Sequence, residues 1–567
     1  MSFEKELQQT IAQAIQNNTQ VEYAADLVST PPRAEMGDMA APVFVVAKEL
    51  KKNPAELASE LAQKISHPFF SEVKAFGPYV NFYLNPAVVG EQIIREATAR
   101  KIGVSEVLKG KKIMVEYFSP NTNKPMTVGH LRNIALGSTI VNLLEKAGAK
   151  VLPVTLFNDR GSAIAKSMTA YAVFGEGATP RSAGMKPDQF VGEFYVRFGV
   201  EAEKDPSLEE KAQEMLLAWE AGDAATMKLW KKMNGWVYEG MQETLEKMNE
   251  DRFKKKYYES EYYDKAAALV EAHVGNGVIT KKSDGLIVAD FGEDSSIPEK
   301  VLLRPDGTSV YITADLYLAQ LKDKEGVDQS IIVSADEQDL HFKQLFVLLK
   351  SLGVEGDHRH LSYGMMRRPE GKIKSREGFG KALADALIAE VEGLARTEVA
   401  KRHPEMKEKK LSRIANEIMQ AAIKFYILNV DAAKVMIFDP QEAVSFTGKT
   451  GPYIQYTVVR LNSILAEKKP GKNVEYGLLE HPLEVDLLNT LKKYPEILQA
   501  AREQYNPSIL THYIYELAQK SNHLYHEVPV LKAPEGVVQA RVALIDAIAR
   551  VLTDGLAVCN IPVPEKM

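Results

Sequence analysis

The sequence predicts a multidomain α/β protein built around an open parallel sheet. Three patterns carry that expectation. A strand–helix–strand unit spans 113–157, strand-like runs return after a long helical stretch, and amphipathic helical periodicity dominates beyond about residue 380. A length of 567 residues leaves room for three or four domains of ordinary size.

Residues 1–105 read as a small α+β unit. Helical periodicity runs from Pro54 to Ile65, and two strand-like runs, Val73 to Phe76 and Tyr79 to Leu84, flank a Gly77-Pro78 turn. Lys109-Gly110-Lys111-Lys112 makes a boundary. Ile113 to Phe118 is β-branched and aromatic, hence a strand, and a Pro/Asn/Gly loop follows it. Leu131, Ile134, Ser138, Val141 and Leu144 form a helical stripe that Gly148 ends, and Val151 to Phe157 supplies the next strand. Strands joined in this way are parallel with a right-handed crossover, which begins a Rossmann-type sheet whose ligands sit beyond the strand C-termini. From about 165 to 275 the chain is helical and charged, and it reads as an insertion. The runs Gly285 to Val288, Ser309 to Ile312 and Ser330 to Val333 are expected to resume the sheet. The expected division is therefore 1–105, 106–380 with its helical insertion, and an α-helical bundle at 381–567.

Composition sets outer limits. With 45% hydrophobic and 26% charged residues the chain is that of an ordinary soluble protein. Its longest apolar candidate, Ala40 to Ala47, is short and broken by Pro42, so no membrane span is expected. The start Met1-Ser2-Phe3-Glu4-Lys5 lacks a secretory apolar region. One cysteine, Cys559, excludes an internal disulfide framework and a cysteine-based zinc cluster. A cytoplasmic location is expected. The net charge of −6 gives no support to a nucleic-acid partner and excludes none, because local patches steer binding. Lys407-Glu408-Lys409-Lys410 and Lys468-Lys469-Pro470-Gly471-Lys472 are such patches, although each alone reads as a solvated helix end or loop.

Two patterns carry no chemistry. Gly448-Lys449-Thr450 resembles the end of a phosphate loop, but that loop needs glycine where Ala443 stands. His523 and His526 share a helical face without a third ligand nearby, so no metal site is expected.

The loop after the first strand of the β-α-β unit is different. Gly129 removes a side chain where loop meets helix, which lets a flat ligand approach the backbone. His130 stands at a helix N-terminus, where free N–H groups and the dipole attract phosphate, and Lys124 adds charge from the same loop.

The full string, Ser119-Pro120-Asn121-Thr122-Asn123-Lys124-Pro125-Met126-Thr127-Val128-Gly129-His130-Leu131-Arg132, resembles the nucleotide-binding signature of class I aminoacyl-tRNA synthetases in the form of the arginine enzymes. Thr127 stands where the family's first signature histidine would be; its hydroxyl can still hydrogen-bond a phosphate oxygen. Lys372-Ile373-Lys374-Ser375-Arg376 resembles the second signature, with Ser375 at the second lysine position, and it follows Tyr363-Gly364-Met365-Met366 in the family's order. Gly448-Lys449-Thr450-Gly451-Pro452-Tyr453-Ile454-Gln455-Tyr456 resembles the family's anticodon-binding helical domain, and Gly37-Asp38-Met39-Ala40, Asn53-Pro54 and Asn81-Phe82 its extra N-terminal domain.

The resemblance implies an arginine–tRNA ligase that forms arginyl-adenylate from ATP and L-arginine and passes arginine to tRNA(Arg), with Mg²⁺ travelling on the nucleotide. Its catalytic residues would be Lys124, His130, Lys372 and Lys374. ATP would meet Pro125, Thr127, Gly129, His130, Met366 and Lys372. Arginine would meet Glu116, Ser119, Asn121, Tyr311, Asp315 and Gln338, with Asp315 on the guanidinium. Without the resemblance, Asp315 reads equally well as a helix cap. Candidate tRNA contacts are Asn81, Phe82, Tyr453, Gln455, Tyr456 and Arg460. No prosthetic group or separate editing domain is implied, and a monomer is the family's default. Thr127 also motivates an alternative, a catalytically impaired RNA-binding or regulatory paralogue; a further alternative is another nucleotidyl-transferring enzyme of the same sheet type.

Overall fold

A computed structural model describes residues 2–292, 296–367 and 383–567. The N-terminal unit opens with the helix Phe3–Thr19, which buries Leu7, Ile11 and Ile15 at i, i+4 and i+8. It packs with a three-stranded antiparallel sheet in the order β1-β3-β2, where β1 is Met39–Pro42, β2 Phe70–Phe76 and β3 Tyr79–Leu84. The expected hairpin is present, and its turn uses Gly77 at φ +56°, a left-handed conformation that costs glycine nothing. Strand β1 was not legible, because Met-Ala-Ala-Pro has little β propensity and is set by its pairing to β3.

The central sheet contains β4 (Lys112–Glu116), β5 (Lys150–Phe157) and β6 (Lys255–Tyr258). A separate antiparallel sheet follows, made of β7 (Ile279–Lys281), β8 (Ile287–Ala289) and β9 (Lys300–Leu303). The chain then returns with β10 (Gln329–Ala335) and β11 (Asp357–Tyr363). The central order is β11-β10-β4-β5-β6, with every neighbouring pair parallel. Strand order reverses between β4 and β10, and a ligand crevice opens beyond such a switch point.

Two strand expectations are corrected here. The 285–288 run lies in the separate antiparallel sheet rather than in the central one. Ser309 makes only an isolated bridge to Leu303, and Tyr311 begins the helix Tyr311–Asp323. Buried Ile312, Leu316 and Ala319, at i, i+4 and i+7, show the period that overrides the local β-branched run. Between β5 and β6 lie the helices Ser162–Phe174, Pro187–Ala202, Ser207–Glu220 and Ala224–Lys247. The sheet thus resumes at 255, through the charged Lys-Lys-Tyr-Tyr edge strand that periodicity did not reveal.

Beyond residue 383 the chain is helical, apart from β13 (Met436–Ile437), which pairs in parallel with β12 (Met366–Arg367). The main helices are Ala384–Arg402, Glu408–Leu428, Gly451–Glu467, Ser508–Glu527 and Glu535–Val558. Thr450 caps Gly451–Glu467 through the Tyr453 N–H, and a Cβ at Gly451 would stand 2.3 Å from the Ala421 carbonyl oxygen. The Gly-Lys-Thr-Gly string is therefore a cap and a close helix crossing. Among the described residues no helix is long and apolar enough to cross a membrane.

Candidate active site

The helix Val128–Lys146 starts at the switch point. Thr127 is its extended N-cap, and His130 at the third helical position reaches back, its Nδ1 accepting the Thr127 N–H at 2.9 Å. The Thr127 hydroxyl lies 3.0 Å from the same nitrogen. An accepting Nδ1 puts the ring proton on Nε2, which has no partner among the described residues. Burial, reinforced by nearby Lys124, lowers the His130 pKa to about 4. The ring is thus a neutral N–H donor at a helix N-terminus. A Cβ at Gly129 would meet nothing nearer than Thr127 Oγ1 at 3.7 Å, so the space above this turn is open.

Lys124 is partly buried and has no hydrogen-bond or ion-pair partner among the described residues; burial lowers its pKa. Pro125 and Met366 are buried beside this loop's path. Lys372 and Lys374 lie outside the described residues.

The depressed pKa of His130 has a measurable consequence. Between pH 6.5 and about 4 the unfolded chain takes up a proton that the folded ring refuses, so stability falls as pH drops through that window. Replacing His130 with Gln should remove up to about 3 kcal/mol of this acid sensitivity. Urea unfolding at pH 7 and pH 5 checks it; equal losses in both proteins would refute the assignment.

Around the other side of the crevice the structure gathers carboxylates. Glu116, 4% exposed at the end of β4, is ion-paired with buried Lys322 and accepts the Ser119 hydroxyl at 2.9 Å. Asp315 lies inside Tyr311–Asp323, five residues past its N-cap Val310, so the capping reading fails. It is held instead by His341 Nε2 at 2.7 Å. Tyr311, at the first helical position, is 72% exposed on the rim. Asn121 is fixed by a backbone bridge to Asn158, and Gln338 is exposed on the short turn after β10.

Sequence reasoning missed Glu259. It follows β6, is 8% exposed, and its Oε2 has no hydrogen-bond partner among the described residues. Burial raises its pKa to about 7, with Arg160 opposing and Asp315 and Asp159 adding to the rise. Its backbone neighbour is clamped: buried Asp159 accepts the Ser260 N–H at 2.9 Å, the Ser260 hydroxyl at 2.7 Å and the Tyr238 hydroxyl at 3.1 Å. Beside it, Arg160 stacks on Tyr263 at 4.0 Å and pairs with Glu220 at 2.7 Å. Burial raises the pKa of the Tyr262 hydroxyl, and the charges of Asp315, Glu259, Glu116 and Asp159 push it further. An acid framed by aromatics directly after a strand, Tyr-Tyr-Glu-Ser-Glu-Tyr-Tyr, was the available signal.

Three of the tRNA candidates are not surface groups. Asn81 and Phe82 are wholly buried; Asn81 donates to the Met36 carbonyl and Phe82 packs on Phe70 at 4.8 Å. Gln455 is also buried, donating to the carbonyls of Glu417 at 3.1 Å and Pro562 at 2.6 Å. All three side chains are buried in their own folds, the amide oxygens of Asn81 and Gln455 without a hydrogen-bond partner among the described residues. Tyr453, Tyr456 and Arg460 remain partly exposed, with Arg460 over the rings of Tyr456 at 4.7 Å and Tyr525 at 5.0 Å.

A parallel sheet with a phosphate-ready helix N-terminus at its switch point is the core of class I tRNA synthetases, and the family model "tRNA synthetases class I (R), catalytic domain" matches residues 94–439. The "Arginyl tRNA synthetase N terminal domain" model matches 5–84 and the "DALR anticodon binding domain" model 454–567. A Treponema denticola protein named arginine–tRNA ligase is 40% identical, covering 95% of this chain and 94% of its own length. One from Treponema pallidum is 37% identical, covering 96% of each. The solved arginyl-tRNA synthetase of Thermus thermophilus superposes with a TM-score of 0.80 at 27% identity over 100% of both chains. The chain belongs to the arginyl-tRNA synthetase family.

Proposed function

We propose that this chain joins L-arginine to tRNA(Arg) in two steps, and that the His130 ring, held by the Thr127 N–H at the N-terminus of the helix after β4 at the switch point of the parallel sheet, carries that reading. In the first step an oxygen of the arginine carboxylate attacks the α-phosphorus of ATP. The bond to the β-phosphate oxygen breaks, and pyrophosphate leaves with its Mg²⁺. Such chemistry depends on alignment and charge neutralisation. His130 Nε2–H donates to a phosphate oxygen, Lys124 supplies the charge beside it, and Lys372 and Lys374 act on the leaving phosphates. The Thr127 N–H fixes the imidazole of His130. Pro125, Gly129 and Met366 shape the nucleotide's seat.

On the amino-acid side, Asp315 and Glu259 take the guanidinium, with Tyr311 closing over it. Glu116, Ser119 and Asn121 hold the α-amino and carboxylate end, and Gln338 lines the opening. In the second step a terminal ribose hydroxyl of the tRNA attacks the arginyl carbonyl, forming the ester and releasing AMP. The N-terminal unit at 1–105 reaches the tRNA elbow, and the helical unit at 381–567 reaches the anticodon through Tyr453, Tyr456 and Arg460. The protein works as a monomer in the cytoplasm. Arginine-dependent ATP–pyrophosphate exchange should appear with tRNA and be absent without it. No exchange in either case would leave only a non-catalytic RNA-binding paralogue.

A further inference from the structure

Arg132 is 0% exposed and heads the largest fully buried side chains among the described residues, yet no carboxylate among them forms an ion pair with it. It stands two residues past His130 on the same helix, about 200° around the axis, so it faces away from the nucleotide side. Its guanidinium donates to backbone carbonyls of two segments. Nη1 reaches Gly364 and, at 3.4 Å, Met365. Nη2 reaches Asp431 at 3.4 Å, Ala432 at 3.0 Å and Lys434 at 2.9 Å. The ring of Tyr363 lies 5.5 Å from its central carbon, and the Tyr363 hydroxyl donates to the Gly129 carbonyl at 3.4 Å.

The two segments are also zipped to each other. Gly364 N–H donates to the Ala432 carbonyl at 2.9 Å, and Met366 and Arg367 pair with Met436 and Ile437. A Cβ on Gly364 would stand 2.6 Å from the Lys434 carbonyl carbon. The 431–434 loop belongs to the C-terminal helical unit and is anchored within it, because Asn506 donates to the Asp431 carboxylate at 2.8 Å. From the C-terminal unit to the first turn of the nucleotide helix the path is Asn506, Asp431, Arg132. A planar fork with five donors can satisfy carbonyls on both segments at once, whereas an ammonium is a single point.

We propose that Arg132 is a positioning residue. It fastens Tyr363–Met366 to the turn carrying Gly129 and His130, and it ties that joint nucleotide cradle to the C-terminal helical unit. The inference rests on reading Gly129–His130 as the ATP seat. Arg132→Lys should cut the turnover of arginine-dependent pyrophosphate exchange by 30-fold or more and raise the KM for ATP about 10-fold. Arginine binding, read by equilibrium dialysis of labelled arginine, should stay within two-fold. Exchange within three-fold of wild type, or arginine binding and exchange lost in equal proportion, would overturn the proposal. If Arg132→Lys does not fold, Gly364→Ala and Asn506→Ala perturb the joint from its two ends. Each should raise the KM for ATP with arginine binding unchanged, and both remaining within two-fold of wild type on ATP would also overturn it. His130→Ala serves as the separate control, since full exchange in that variant would instead remove the ATP-seat reading.

Discussion

Lys124→Ala is expected to slow arginyl-adenylate formation by about 10³-fold while leaving arginine affinity within a factor of two. The side chain is a partly buried cation with no partner among the described residues, and its pKa is lowered by burial alone. An unpaired charge in that position is a standing cost to the empty enzyme that an anionic ligand removes. Under the proposed function, the phosphates of ATP are that ligand. The same cost predicts that Lys124→Met is more stable than wild type, by about 1–2 kcal/mol at pH 7. The sign of the pH dependence follows. The folded pKa lies below the unfolded one, so as pH rises from the lowered value toward 10.5 the unfolded chain holds the extra proton and stability increases. Lys124→Met should lack that alkaline gain. Single-turnover adenylate formation and urea unfolding measure the two effects. A loss of only a few-fold in rate would transfer the role to Lys372 or Lys374.

The parts of this site differ in how far the sequence revealed them, and the reasons are physical. The nucleotide turn was legible because one contiguous string sets strand, loop, cap and helix, so chemistry and spacing lie together. Even there, the sequence set Thr127 down as a lost histidine. In the fold Thr127 and His130 hold each other, and the Thr127 N–H fixes the tautomer of the histidine that remains. The proposed amino-acid side was legible in part: the sequence singles out Asp315, whereas its holder His341 and the buried Glu259 come from separate segments. Arg132 was quoted as the end of a motif, while its five acceptors are main-chain oxygens, which no side-chain pattern encodes. At Asn81, Phe82 and Gln455, polar and aromatic letters in distinctive strings suggested contact surfaces, and the structure places all three side chains in the interior. The helix at Tyr311–Asp323 was misread from four residues, because a short β-branched run carries less information than the period of the thirteen residues it begins.

Asp315→Asn should lower kcat/KM for arginine by about 10³-fold, almost all of it in KM, because it removes the charge from a guanidinium site and leaves the phosphate machinery intact. His341 fixes Asp315 with a bond of 2.7 Å, so the carboxylate is pre-aimed and little reorganisation cushions its loss. Glu259 adds a pH signature. In the empty pocket its pKa stands at about 7, and only the ionised form can receive a guanidinium. Arginine binding must therefore displace a proton from it. The KM for arginine should fall roughly tenfold as pH rises from 6 to 8, and calorimetry in buffers of different ionisation enthalpy should register up to one proton released per arginine near pH 6. Glu259→Gln keeps the shape, removes the titration, and should flatten that slope while weakening arginine throughout. An unchanged slope in Glu259→Gln would mean that another group titrates in the pocket, and the neighbouring Asp159, whose pKa burial also raises, would be the next to replace.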